Sequence, residues 1–278
     1  MNPEPDKPQP LPEVIAYYDR APEESRLESG VFRLEFARTQ EILTRVLPAS
    51  PTRIADVGGG AGAYSLWLAD RGDQVHLIDA SPRLVVHARR LDATRHRHIA
   101  SIATGDARQL PFADGALDAV LLMGPLYHLP ESEDRRRALS EARRVLAPGG
   151  VVAAAAISRF ASALSGLTLR LAGDSRFVHM RNRDLSDGRH INDTDVLDYF
   201  TTAYMHRPDD LRAELEAGGF GSIEMFGVEG PGWILPDFDA HWENPTLRQG
   251  LVDVARALEA ETSIQGASAH LLAIGRRG

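Results

Sequence analysis

Gly58, Gly59, Gly60 and Gly62 stand between a short apolar run, Arg53–Val57, and a helical pattern that carries Tyr64, Trp67 and Leu68 on one side. Glycine tolerates positive φ and has no Cβ, so such a turn brings its backbone against a ligand. The helix that follows points free N–H groups at the same place. Strand, glycine turn and helix together read as a nucleotide site at the carboxyl edge of a parallel sheet. Gly58-x-Gly60 with Ala63 also satisfies the dinucleotide form G-x-G-x-x-G/A, so the loop alone leaves the nucleotide open. A tight turn that binds nothing is the weaker reading, because four glycines in five positions cost conformational entropy. Two acids sit at matching places downstream. Asp79 ends the run Gln74–Asp79, and Asp106 follows Gly105 directly after Ile99–Ala103.

The elements that must position these groups alternate. A helix from Phe32 to Leu47, stopped by Pro48, precedes the first strand. Gly72 stands at the C-cap of the helix after the glycine turn. Ser81-Pro82 caps and starts the next helix, which runs to Ala93. Strands follow at Ile99–Ala103, Asp118–Met123 and Val151–Ile157, with a helix from Ser132 to Leu146 before the last of them. Strands and helices at this spacing predict an α/β fold with a doubly wound, mostly parallel sheet. Residues 1–12, with five prolines, read as a disordered tail. A helical cap over 13–48, a ligand-binding core over 49–157, a lid or insertion over 158–207 and a C-terminal completion of the sheet over 208–278 make up the expected plan. The polar 158–207 stretch is too long for a plain connection.

Composition excludes several classes of function. Net charge is −8 with no long basic run, which disfavours a nucleic-acid partner. No cysteine is present, so disulfides, iron–sulfur clusters and thiolate nucleophiles are ruled out. Lys7 is the only lysine, which removes a Walker lysine, a pyridoxal Schiff base and a Tyr-x-x-x-Lys reductase pair. No run reaches the ~18 apolar residues of a membrane span. The start has no apolar signal-peptide core, so a cytoplasmic protein is expected. The bias of arginine over lysine predicts a bacterial source.

Four motifs occur in one order: Asp56-Val-Gly-Gly-Gly-Ala-Gly62, Asp79, Gly105-Asp106-Ala107 and Leu146-Ala-Pro-Gly-Gly150. In these the chain resembles the class I S-adenosylmethionine-dependent methyltransferases, over about Arg53 to Ile157 and more loosely in two closing strands. The resemblance implies a Rossmann-like seven-stranded sheet with S-adenosylmethionine as cofactor. By it, the glycines Gly58, Gly59, Gly60 and Gly62 admit the methionine and ribose portions. Asp79, beside Ala80, accepts from the ribose hydroxyls. Asp106 accepts from the adenine amino group, with Ala107 offering a backbone N–H. Tyr18 and Met123 adjoin the cofactor, and Arg38 binds the methionine carboxylate through a fork-like pair. Plain turn and capping roles compete for Asp106 and Asp79.

Methyl transfer is an in-line displacement, so alignment supplies much of the rate. His128, just past the fourth strand, is the leading candidate base, and Tyr17 is the second catalytic candidate. Met123-Gly-Pro-Leu-Tyr127 stands where amino-directed DNA methyltransferases carry Asn/Asp-Pro-Pro-Tyr, without the amide or acid. A small-molecule acceptor, in specialised metabolism, is therefore expected between the N-terminal helices and 158–207. No metal is expected, because no clustered acids match the catechol type. A monomer and a homodimer both remain open. The rival readings are a non-methylating S-adenosylmethionine-binding protein on the same fold and a nicotinamide oxidoreductase.

Overall fold

The computed structural model describes residues 8–278; residues 1–7 of the expected tail, Lys7 included, lie outside the described residues. The chain enters through α1 (Pro12–Arg20), a 3₁₀ turn (Glu23–Glu28) and α2 (Phe32–Val46). The core then alternates as β1 (Arg53–Val57), α3 (Ala63–Arg71), β2 (Gln74–Asp79), α4 (Pro82–Asp92), β3 (Ser101–Thr104), β4 (Leu117–Leu122), α5 (Ser132–Val145) and β5 (Leu146–Ile157). Next come α6 (Ala161–Thr168), α7 (Ser175–Asp187), β6 (Arg189–His190) and β7 (Ala203–Tyr204). The chain finishes with α8 (Pro208–Ala217), β8 (Phe220–Gly227), α9 (Phe238–Glu243), α10 (Pro245–Leu258) and β9 (His270–Arg277).

Seven strands form one sheet in the order β3-β2-β1-β4-β5-β9-β8. β1 to β5 are parallel, and β9 is antiparallel to both β5 and β8. The strand order reverses between β1 and β4, where an open α/β sheet offers a crevice at its carboxyl ends. Alternation along the strands sends Ala55, Val57, Val120 and Leu122 to one face, against Leu139 of α5 and Leu211 of α8. Ile54, Ala119 and Leu121 go to the other face, against Ile42 of α2, Leu68 of α3 and Ala88 of α4. Both faces are covered, as a parallel sheet requires.

The local signals act as the residues dictate. Gly72 closes α3 at φ 103°, a conformation open to glycine. Ser81 caps α4, its hydroxyl accepting from the Leu84 N–H at 3.3 Å. Two strand ends differ from the sequence reading. β3 begins at Ser101, because the Ile99 N–H goes to the Asp92 carboxylate at 2.8 Å. β5 begins at Leu146, which pairs with Leu117 before Pro148-Gly149-Gly150 bulges out and pairing resumes at Val151. Within 158–207, α6, α7 and the β6–β7 pair gather around Phe177, Met180 and Tyr199. α7 lacks an apolar stripe: its buried residues are Phe177, Met180 and Asp184.

The structure corrects the expectation for Arg38. Leu34, Arg38 and Ile42 lie four residues apart on one helical face, and all three are fully buried. The Arg38 guanidinium is paired with Glu41 and with Glu259 beyond α10, so it is committed to joining the cap to the C-terminal segment. Glu259 also receives Arg45 at 2.6 and 2.8 Å. Arg38→Met is expected to lower unfolding stability by about 3 kcal/mol, the lower end of the cost of breaking a buried pair, since Arg45 remains. Urea unfolding measures this, while S-adenosylhomocysteine affinity of the folded variant stays at the wild-type value.

Candidate active site

A cavity of about 510 Å³ opens at the carboxyl edge where β1, β2 and β4 end, beneath the N-terminal segment. Its floor is the glycine turn: Gly58, Gly59 and Gly60 line it, and Gly62 does not. A Cβ on Gly58 would sit 2.6 Å from Pro125 Cδ, so only glycine lets the β1 turn meet the turn after β4. Gly62 works behind the cavity. At φ 92°, a conformation open to glycine, it starts α3 and faces Ala88 and Leu77 behind the floor. The ligand-contact role expected for Gly62 is corrected on that ground.

Asp79 lines the cavity at the end of β2, with Ala80 beside it. Its Oδ2 accepts from the Gly60 N–H and its Oδ1 from the Ser81 N–H, each at 2.8 Å. Burial raises its pKa, and those two N–H groups pull it back. Each oxygen keeps a lone pair for a hydroxyl donor. Asp106 and Ala107 line the cavity past β3. The Asp106 carboxylate is shared with Arg108, which reaches Oδ1 through its backbone N–H at 2.8 Å and Oδ2 through Nη2 at 2.7 Å. The competing turn role is thus visible in the same residue. Met123 lines the β4 side.

The roof is the segment 10–28. Leu11, Val14, Ile15 and Tyr18 line the cavity at i, i+3, i+4 and i+7. Tyr17 is turned off that face. It packs edge-on against Phe200 at 5.3 Å and does not line the cavity, which corrects its catalytic assignment. Arg83, in the first turn of α4, holds the roof down. It donates from Nε to the Tyr18 carbonyl at 2.9 Å, from Nη2 to the Ala21 carbonyl at 3.0 Å, and pairs with Glu24. No residue of 158–207 is among those lining the cavity, so the acceptor contact expected of that segment is not seen among the described residues. The segment instead braces the roof from outside, through Phe200 and through Thr201, whose hydroxyl donates to the Glu13 carbonyl at 3.3 Å.

His128 lines the cavity where the sequence placed it, but its nitrogens are engaged. Nδ1 lies 3.3 Å from the Thr202 carbonyl, which can only accept, so Nδ1 carries the proton. Nε2 then accepts from the Tyr18 hydroxyl at 2.8 Å. Burial lowers the His128 pKa to about 4, with the Thr202 bond opposing it. The imidazole is neutral at physiological pH. Tyr127 adjoins it, its hydroxyl donating to the Met123 carbonyl at 3.2 Å. The sequence assigned no site role to Tyr127, Arg26 or Arg83. Only Tyr127 had a signal, its place beside His128 in the turn after β4.

Glu35, Glu229 and His270 bring their ligand atoms within 4.8 Å of one another. The carboxylates already have cationic partners. Arg26, on the cavity wall, holds Glu35 at 2.6 and 3.2 Å, and His270 Nδ1 meets Glu229 at 2.5 Å. These contacts take the oxygens a metal ion would use. Burial alone lowers the His270 pKa, but the Glu35 and Glu229 carboxylates outweigh it and the net shift is upward. A raised folded pKa gives stability that is complete below the unfolded value of about 6.5 and is lost as pH rises through the folded value. Urea unfolding of wild type and His270→Gln across pH should therefore show the largest gap below about 6.5, closing at higher pH.

A family described as a methyltransferase domain matches residues 55–154. The chain is 34% identical over 180 residues to the malonyl-[acyl-carrier protein] O-methyltransferase of Geobacter sulfurreducens, covering 63% of this chain and 58% of that protein. It thus spans little more than half of that relative's length. It is 30% identical over 231 residues to the O-methyltransferase rstn1 of Aspergillus nomiae, covering 81% of this chain and 87% of that one. Among solved structures, the S-adenosylmethionine dependent methyltransferase of Mesorhizobium loti has the same fold, with a TM-score of 0.56 at 19% identity, over 88% of this chain and 100% of that one. The glycine turn, the strand-end acids, the reversal of strand order and these similarities agree: the chain belongs to the class I S-adenosylmethionine-dependent methyltransferases.

Proposed function

We propose that the protein transfers a methyl group from S-adenosylmethionine to a small-molecule acceptor, without a metal ion. The observation that carries this is Asp79, whose two oxygens each keep a lone pair over the cavity while their other bonds fix the glycine turn and the start of α4. The cavity's size is that of a cofactor pocket. Gly58, Gly59 and Gly60 line the cavity and leave backbone open to a ligand. When bound, the cofactor supplies an electrophilic methyl on a sulfonium. Asp79 holds the ribose hydroxyls, Asp106 and Ala107 the adenine edge, and Gly58–Gly60 the chain between ribose and methionine.

His128 serves the acceptor through Tyr18. The Tyr18 oxygen takes a proton from the acceptor's hydroxyl or N–H as its own proton passes to His128 Nε2. The names of the relatives favour an oxygen acceptor. No helix among the described residues is long and apolar enough to cross a membrane, which supports a cytoplasmic place for the protein and its acceptor. The charge of −8 supports an acceptor other than nucleic acid. The arginine-rich composition supports a bacterial source.

Incubation with a bacterial small-molecule extract and isotopically labelled methyl donor tests the reading by mass spectrometry. Labelled product is expected in the extract, and donor binding with no labelled product would overturn methyl transfer. With the acceptor known, His128→Asn is expected to lower turnover about 10²–10⁴-fold. Asp79→Ala should weaken S-adenosylhomocysteine binding by roughly 1–3 kcal/mol in titration calorimetry. It should also lower the melting temperature, because the same carboxylate ties Gly60 and Ser81. An unchanged affinity removes Asp79 from the cofactor site.

A further inference from the structure

We propose that the 158–207 segment is a positioning device for His128. It holds Phe200 in a strained backbone conformation and, through the Phe200 ring and the Thr202 carbonyl, fixes how the imidazole lies and which nitrogen carries the proton. The proposal rests on reading His128 as the group that receives the Tyr18 proton. Phe200 has φ 67° and ψ −162°, a region that only glycine enters freely. A bulky residue stays there only where its surroundings over-determine it, and such residues gather at functional sites.

The restraints on Phe200 come from the end of β6. His190 Nε2 donates to the Tyr199 carbonyl at 2.6 Å, and Asn192 Nδ2 donates to the Phe200 carbonyl at 2.6 Å. His190 is backed by the Asp184 carboxylate of α7 at 3.0 Å, and both of these side chains are buried. Two consecutive carbonyls are thus pinned. A return of Phe200 to negative φ would rotate the peptide that carries the Tyr199 carbonyl away from His190. The turn so held presents the segment to His128 twice. The Phe200 ring lies 5.7 Å from the imidazole, and the Thr202 carbonyl accepts from Nδ1 at 3.3 Å. The partner of one ring nitrogen decides the state of the other. With Nδ1 protonated, Nε2 is left as the acceptor that meets the Tyr18 hydroxyl. Asp184, His190, Asn192 and Phe200 are not among the residues lining the cavity, so they act through His128 rather than on a ligand.

Long-range proton–nitrogen NMR of protein labelled at histidine reads the tautomer directly and needs no acceptor; the His128 signals are those missing from His128→Asn. The wild type is expected to show one neutral Nδ1–H form at neutral pH. Phe200→Gly relieves the strain and removes the ring, and Asn192→Ala releases the Phe200 carbonyl. In each, the ratio of the Nδ1–H to the Nε2–H form is expected to fall about five-fold, the worth of one hydrogen bond. With an acceptor in hand, kcat should fall in the same variants while KM holds. Retained S-adenosylhomocysteine binding shows that a variant is folded, and either variant that keeps it suffices; where neither does, the wild-type tautomer decides. A wild type in the Nε2–H form or in a mixture, or a folded variant with wild-type His128 signals, would overturn the positioning device while leaving methyl transfer standing. Normal turnover in His128→Asn overturns instead the proton-acceptor reading on which the proposal rests, and the NMR result tells the two failures apart.

Discussion

The site depends on one carboxylate that has two backbone partners. Asp79 accepts from Gly60 and from Ser81, so the turn after β1 and the first residue of the next helix cap are fixed to the end of β2. Ser81 then caps α4 and sets where Arg83 emerges. Arg83 reaches the Tyr18 and Ala21 carbonyls and Glu24, and by doing so sets the roof. Tyr18, placed in this way, meets His128. Floor, wall and roof form one sequence of hydrogen bonds that begins at a strand end. Charge-assisted bonds of this kind are short and directional, which suits a site built from several separate elements.

Much of this was legible because the signals are local. Glycine before a helix, serine before proline and an acid at a strand end each act through neighbouring backbone, and their order along the chain gave the sheet. The errors came from side chains whose role depends on helix rotation. Leu34, Arg38 and Ile42 sit four apart, so the spacing already places Arg38 on the buried stripe; reading it as a ligand residue gave its charge more weight than its position. Tyr17 and Tyr18 are neighbours on a helix, about 100° apart, so only one could share the face of Leu11, Val14 and Ile15. Phase along α1 selects Tyr18.

Other features had no sequence signal. Nothing near Arg83 announces that it will reach a segment some sixty residues earlier. In the polar 158–207 stretch α7 starts at an aspartate cap and packs on a small private core, and the stretch's place behind the roof follows from tertiary packing alone. The ionic network of Arg26, Glu35, His270 and Glu229 joins the 3₁₀ turn, α2, the end of β8 and β9. Such a network can be recognised only once the sheet brings β9 between β5 and β8.

The match to the methyltransferase domain family covers residues 55–154, and the roof lies outside it. Side-chain bonds seat residues 9–28 on the rest of the structure: Arg83 to two carbonyls and Glu24, Tyr18 to His128, Arg26 to Glu35, Thr201 to the Glu13 carbonyl and Arg108 to the Gln9 carbonyl. No strand ladder joins this segment to the sheet. A part fastened this way is modular in the mechanical sense, because its mounting points are few and its own sequence is otherwise free to change. The same core can thus carry differently shaped roofs without altering its sheet.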